Sequence, residues 1–171
     1  YAHIRNIKVY LTLNTLLYDE EIKDALEVVK SLYECGLDAV ILQDLGLATL
    51  VHKMLPDLHL HASTQMSVYS LEQVKYLEKL GFSRVVLARE LTVSEIEYIC
   101  KNCNVEIEVF VHGALCVCVS GQCYLSKSIG NRSANRGSCA QPCRMKYSLY
   151  KNGKIIEKER YLLSKKDIFG M

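Results

Sequence analysis

Arg84-Val85-Val86-Leu87-Ala88-Arg89-Glu90-Leu91-Thr92-Val93-Ser94-Glu95 is one period of a repeating pattern, and its reading decides the fold. The run Arg84–Ala88 is apolar after its first residue and rich in valine, so it reads as a buried strand. It ends in the polar pair Arg89-Glu90. Thr92 then has the side chain of a helix N-cap, and Glu95 stands three residues on, which makes a capping box. Strand, polar end and capped helix follow one another in a dozen residues.

The same succession recurs on both sides. Upstream, the strand Ile7–Leu13 ends at Asn14-Thr15, and a helix from Asp19 to Cys35 carries Ile22, Leu26, Val29 and Tyr33 at helical spacing. Gly36 sits where a C-cap glycine belongs. A second strand, Ala39–Leu42, ends at Gln43-Asp44, and a short helix stops near Pro56. A third, Leu58–His61, leads into Ala62-Ser63-Thr64-Gln65. Ser70 caps a helix that Gly81 ends. Downstream, the strand Val105–Val111 ends at His112-Gly113.

Consecutive β–α steps of this kind predict parallel strands with helical crossovers. Asn14, Asp44, Gln65, Arg89, Glu90 and His112 all fall at the C-terminal ends of strands. In a (β/α)8 barrel that end is the active-site mouth. Each of these side chains is also a common cap or turn former. Their shared position is what makes them candidate catalytic residues. A doubly wound sheet would carry a glycine-rich phosphate turn, and the chain has none. The expected fold is therefore α/β, a partial TIM-barrel-like domain over residues 1–113. Five strands do not close an eight-stranded barrel, and the chain begins at Tyr1. Missing N-terminal units and a larger parent protein are accordingly expected.

After Gly113 the periodicity stops. Residues 114–146 are rich in Cys, Ser, Gly, Asn and Arg and read as a long irregular loop, a kind of segment that is usually functional. Residues 147–157 read as a β-hairpin, with Asn152-Gly153 suited to a type I′ turn. Residues 161–171 begin another element, expected as a strand toward Ser164.

Composition agrees with one globular unit: 171 residues, half of them hydrophobic. That excludes intrinsic disorder, and no apolar run reaches the roughly 18 residues of a membrane helix. The net charge of +2 hides a split, since residues 1–108 carry −6 and residues 109–171 carry +8. No Asp or Glu occurs from Val109 to Ile156. A solvated face normally mixes signs, so this stretch suggests an anionic partner, with Arg132, Arg136 and Arg144 as candidate anion or RNA contacts.

Five of the eight cysteines, Cys116, Cys118, Cys123, Cys139 and Cys143, lie within 28 residues. A chain rich in strands and helices needs no disulfide staples, so the cluster points to metal binding or catalysis in a reducing compartment, hence the cytoplasm. Three explanations stand side by side. Cys116, Cys123 and Cys139, with Cys118 or Cys143 as a fourth, are soft thiolate donors for iron–sulfur or zinc. One cysteine paired with His112 makes a nucleophile. The third explanation makes all of them structural thiols, as Cys100 and Cys103 are read.

The segment Glu108-Val109-Phe110-Val111-His112-Gly113-Ala114-Leu115-Cys116-Val117-Cys118-Val119-Ser120-Gly121-Gln122-Cys123-Tyr124-Leu125-Ser126 resembles the signature of the peptidase U-32 family, the collagenase-like proteases. Asn135-Arg136-Gly137-Ser138-Cys139-Ala140-Gln141-Pro142-Cys143-Arg144 resembles its continuation. Val9–Thr15, Gln43–Gly46, Ala62–Gln65 and Arg89–Thr92 resemble further family segments. The resemblance implies a barrel-like fold and one of two activities: peptidase action on a protein such as collagen, or hydroxylation of tRNA or rRNA with prephenate as oxygen donor. It implies a four-iron cluster, with Cys116, Cys123 and Cys139 matching three ligands. The family's fourth ligand follows an Asp-Leu pair, and here Asp167-Ile168 is followed by Phe169. RNA hydroxylation is the favoured expectation, because Cys clustering and an acid-free basic stretch serve it. The chain shows no G-x-S-x-G elbow and no H-E-x-x-H helix to support a hydrolase. A non-catalytic RNA-binding module is the third reading.

Overall fold

A computed structural model describes residues 1–164 and the backbone of residues 168–169. The chain divides into two compact units, 1–109 and 110–171.

The first unit is built of five parallel strands with helices between them. β1 (Tyr10–Leu13) is followed by α1 (Asp19–Glu34), β2 (Ala39–Leu42), α2 (Leu45–Met54) and β3 (His59–Ala62). Then come α3 (Leu71–Lys79), β4 (Phe82–Val86), α4 (Val93–Asn102) and β5 (Glu106–Glu108). The strands lie side by side in chain order, β1-β2-β3-β4-β5, without the reversal that marks a doubly wound sheet. Local chemistry starts the helices where the sequence predicts. The Ser70 and Thr92 hydroxyls each accept the N3 amide, and their own backbone amides donate in return to the side chains of Gln73 and Glu95 respectively. Asp44 caps α2 by accepting from the Leu47 amide at 2.9 Å.

Register explains which face is buried. Leu11, Val40, Leu60 and Phe82 form one row across the sheet, and Leu13, Leu42, Ala62, Val85 and Ile107 another. Both rows point to the same side, because side chains alternate with period 2. There they meet Ala25 and Val29 of α1, Leu47 and Val51 of α2, Val74 and Leu77 of α3, and Ile99 of α4. Every strand residue in this apolar cluster belongs to that face. The opposite face bears Tyr10, Ala39, Thr12, Ile41, His61, Arg84, Val86, Glu106 and Glu108.

Strand limits differ from the expected ones for identifiable reasons. β1 begins at Tyr10 rather than Ile7, since the Val9 amide donates to the Asp38 carboxylate at 2.6 Å. β4 starts directly after Gly81 and ends at Val86, because the Ala88 amide leaves the ladder for the Val68 carbonyl. β5 ends at Glu108, not Val111. Its neighbour β4 has stopped, and the last bond is from the Leu87 amide to the Glu108 carbonyl.

The second unit opens with β6 (His112–Gly113), which pairs antiparallel with β9 (Ile168–Phe169). Between them the expected irregular loop contains a six-residue helix, α5 (Leu125–Gly130), and 3-10 turns at Ala134–Arg136 and Pro142–Arg144. The hairpin is present as β7 (Tyr147–Lys151) and β8 (Lys154–Arg160). Asn152 and Gly153 have φ of 52° and 76°, the two left-handed residues that a type I′ turn needs. Residues 161–164 are not a strand. The Ser164 amide bonds the Tyr161 carbonyl at 3.3 Å, which closes a turn. Residues 165–167 and 170–171 of the further element lie outside the described residues.

Candidate functional site

Asn14, Asp44, Gln65, Arg89 and Glu90 each follow the C-terminal end of one of the first four strands, so the parallel sheet puts them at one edge. Hydrogen bonds stitch that edge together. Asn14 Nδ2 donates to Ser63 Oγ at 3.3 Å, across β2, and Gln43 Nε2 donates to the Gln65 carbonyl at 3.3 Å. Ser63 Oγ also accepts the Gln65 amide at 3.2 Å, which starts the 3-10 turn Thr64–Met66. Asp44 divides its carboxylate between the α2 cap and the Leu17 amide at 3.3 Å. Gln43 Oε1 is buried and has no hydrogen-bond partner among the described residues, an unusual state for a side-chain acceptor. Arg89 is half-buried and Glu90 exposed, in the turn between β4 and α4.

The other face of the sheet holds a second polar cluster, which the strand-end reading did not include. Arg84 Nε donates to Glu106 at 2.8 Å and Nη1 to Glu108 at 3.2 Å. Its guanidinium lies 5.7 Å from the Tyr10 ring, and that ring meets His61 edge-on at 4.9 Å. Tyr10 reaches His61 over Ala39, whose methyl leaves room between the two strands. The ion pairs hold Glu106 below the usual carboxylate range and raise Arg84. Burial, and then the Arg84 charge, depress His61 to about 4, so its imidazole is neutral at pH 7. The signal was legible in the alternation His59-Leu60-His61 and Glu106-Ile107-Glu108. Parallel strands covered on both faces read as continuous apolar runs, and a polar residue at every second position contradicts that.

His61 gives a pH test. Its folded pKa lies below the ordinary 6.5, so the unfolded chain binds the extra proton. Stability is fully present above about pH 6.5, falls as pH drops toward 4, and levels off below. The expected loss is on the order of 1 kcal/mol after allowance for water near the ring. Urea midpoints measured from pH 7 to 4.5 should show this slope in the wild type and a flatter one in His61→Gln. Equal slopes would refute it.

In the second unit, His112 is exposed in β6 and bonds its strand partner Phe169 through the backbone. Arg144 is half-buried and binds within the unit: Nη2 donates to the Leu115 carbonyl at 3.3 Å and Nη1 to Ser164 Oγ at 3.1 Å. Arg136 sits in a 3-10 turn and Arg132 is exposed. All eight cysteines are free thiols. Among the described residues no three His, Cys, Asp or Glu side chains are gathered as a single metal ion requires. The five clustered thiols nevertheless sense one another. Burial, then Cys123 and Cys116, push the Cys118 thiol up. Burial, then Cys116 and Cys139, push the Cys143 thiol up, with Cys123 adding to it. Cys139 Sγ accepts the Gln141 amide at 3.3 Å, the kind of bond that suits a sulfur carrying negative charge. The donor set is soft sulfur on short, turn-rich backbone.

The model of Peptidase family U32 matches residues 1–171. The chain is 45% identical to the 23S rRNA 5-hydroxycytidine C2501 synthase of Escherichia coli K12 over 98% of its own length and 25% of that protein's. It is 37% identical to tRNA hydroxylation protein P of the same organism, over 92% of its length and 36% of that protein's. A solved structure of a U32 peptidase superposes with a TM-score of 0.55 at 19% identity, covering 66% of this chain and 49% of that one. That likeness supports the α/β fold. The chain thus spans a quarter to about a third of the two curated relatives.

Proposed function

This chain belongs to peptidase family U32, and from that premise we propose that it serves iron–sulfur-dependent hydroxylation of a nucleobase in tRNA or rRNA. The observation that carries the reading is the 45% identity to an rRNA 5-hydroxycytidine synthase along almost the whole chain. In this reading the five-stranded sheet is an arc of a TIM-type barrel. Its unbroken strand order and one-sided helices support that. The strand-end side chains Asn14, Asp44, Gln65, Arg89 and Glu90 line the substrate side, and His112 is a further candidate. Cys116, Cys123 and Cys139 hold the cluster, which when bound supplies one-electron chemistry. A small dicarboxylate such as prephenate suits the same site as oxygen donor, and Arg132 and Arg136 offer anion contacts. A cytoplasmic setting follows from reduced thiols and an RNA substrate. No helix among the described residues is long and apolar enough to cross a membrane.

The test is nucleoside analysis by mass spectrometry of rRNA and tRNA from a deletion strain. One hydroxylated nucleoside should vanish, and return with the intact gene but not with Cys139→Ala. Unchanged RNA, with metal-independent cleavage of gelatin by the purified protein, would favour the family's peptidase label instead.

The β7–β8 hairpin offers a quantitative check on RNA as partner. Lys151 and Lys154 face each other across the turn, and both are exposed. Like charges at such a pair repel, which an opposing phosphate relieves. Changing both to Gln should weaken RNA binding several-fold and lower the slope of log affinity against log salt by about 2. An unchanged slope would remove the hairpin from the interface.

A further inference from the structure

Gln43 directly follows β2 and is only 8% exposed, yet just one end of its side-chain amide is matched. Nε2 donates to the Gln65 carbonyl at 3.3 Å. That carbonyl fixes which way the amide points, since only the NH2 group can donate to it. Oε1 is left buried, with no hydrogen-bond partner among the described residues. A buried acceptor without a donor destabilises a fold, and departures of this kind concentrate at functional sites.

The surroundings say what kind of donor belongs there. Leu13, Leu42 and Ala62 pair across the sheet, so Asn14, Gln43 and Ser63 stand one step further toward the strand ends. The bond from Asn14 Nδ2 to Ser63 Oγ crosses β2 at that level. The next residue, Asp44, has its carboxylate engaged by the Leu17 and Leu47 amides. The groups around Gln43 are thus uncharged or already satisfied. A bare carbonyl oxygen repels an anion and attracts an N–H, so the vacancy suits a neutral heterocycle and not a phosphate.

We propose that Gln43 is a base-reading residue, whose Oε1 accepts a hydrogen bond from an N–H on the edge of an unpaired nucleobase. The proposal rests on the RNA reading above and deepens it by naming the atom that recognises the base. Oε1 is closed to water. The donor reaches it as the half-buried turn Thr64–Met66, which the same amide holds, shifts aside. A base lacking its N–H would leave Oε1 unmatched, and sites of this kind discriminate strongly against such analogues.

The full-length protein is titrated with dye-labelled oligocytidylate and oligouridylate, and with the same RNAs carrying N4,N4-dimethylcytidine or N3-methyluridine, which have no base N–H. At least one unmodified RNA should bind about tenfold more tightly than its methylated form. The RNA that shows the difference tells an exocyclic amine from a ring N–H. In Gln43→Met the difference should shrink to within about twofold, while the slope of log affinity against log salt, which phosphates set, stays the same. The variant should melt at nearly the wild-type temperature, because it loses one hydrogen bond and one unmatched acceptor together. A purely structural Gln43 would lower the melting temperature and leave the preference in place. Equal affinity of the wild type for modified and unmodified RNAs, or a full preference kept by Gln43→Met, would overturn the proposal and leave RNA as partner. Wild-type protein that binds none of the RNAs would overturn both.

Discussion

Replacing Leu60 with alanine should cost the sheet unit about 2–5 kcal/mol, the range for emptying a fully buried leucine site. Leu60 lies in β3, the central strand, and none of its surface is exposed. Its neighbours in the row are Val40 and Phe82, both in the same apolar cluster. Each is held on two sides by paired strands, so the site has little room to collapse. A domain's whole stability is about 5–15 kcal/mol, and the variant should therefore unfold at a much lower urea midpoint, read by far-ultraviolet circular dichroism. Leu60→Met conserves volume and should cost less than about 1.5 kcal/mol. A Leu60→Ala loss no larger than the Met value would mean the core is not packed as described.

Gly81→Ala is the second large effect. Gly81 ends the α3 turn with φ of +92°, a conformation that L side chains rarely adopt. A Cβ there would stand 2.7 Å from the His52 ring, which must then move. His52 Nδ1 is buried without a hydrogen-bond partner among the described residues, so the ring is placed by packing alone. Left-handed strain and overpacking together predict a loss of roughly 2–5 kcal/mol. The two contributions separate in a double-mutant cycle. Adding His52→Ala should recover the overpacking part and leave the strain, giving a favourable coupling of about 1–3 kcal/mol. Simple additivity would show that the ring and the methyl never meet.

The fold was legible wherever local chemistry and the tertiary structure agree. The cap at Ser70, the capping box at Thr92, the Asn152-Gly153 turn and the strand Ala39–Leu42 were all readable because each is decided by neighbours in sequence. Limits set by distant partners were not. β5 stops at Glu108 because β4 has stopped, and nothing in Val109-Phe110-Val111 announces it. The pairing of His112 with Phe169 is equally invisible, being a contact between distant residues. That pairing puts His112 in the second unit, whereas the sequence had placed it among the strand-end residues of the first. The strand-end residues Asn14, Asp44, Gln65, Arg89 and Glu90 were proposed from position alone. The Tyr10–His61–Arg84–Glu106 cluster was overlooked, because strands were scanned for their ends and not for their alternation. The structure also gives several candidates a second duty. Asp44 caps α2, and Arg144 ties the cysteine segment together.

The strand order has a consequence for how the chain is made. Each strand of the sheet pairs with the one synthesised just before it, across 20 residues from Ala39 to His59 and 29 from Tyr10 to Ala39. Closing loops of that size is cheap, and no strand of the sheet waits for a distant partner. The first unit is therefore suited to folding vectorially as it leaves the ribosome. The pairing of Gly113 with Ile168 spans 55 residues, and Cys116 through Cys143 all fall inside that loop. These thiols are translated well before the strand that shuts their loop, so the nascent chain passes through an interval in which its sulfur atoms are open to oxidants and to metal donors alike.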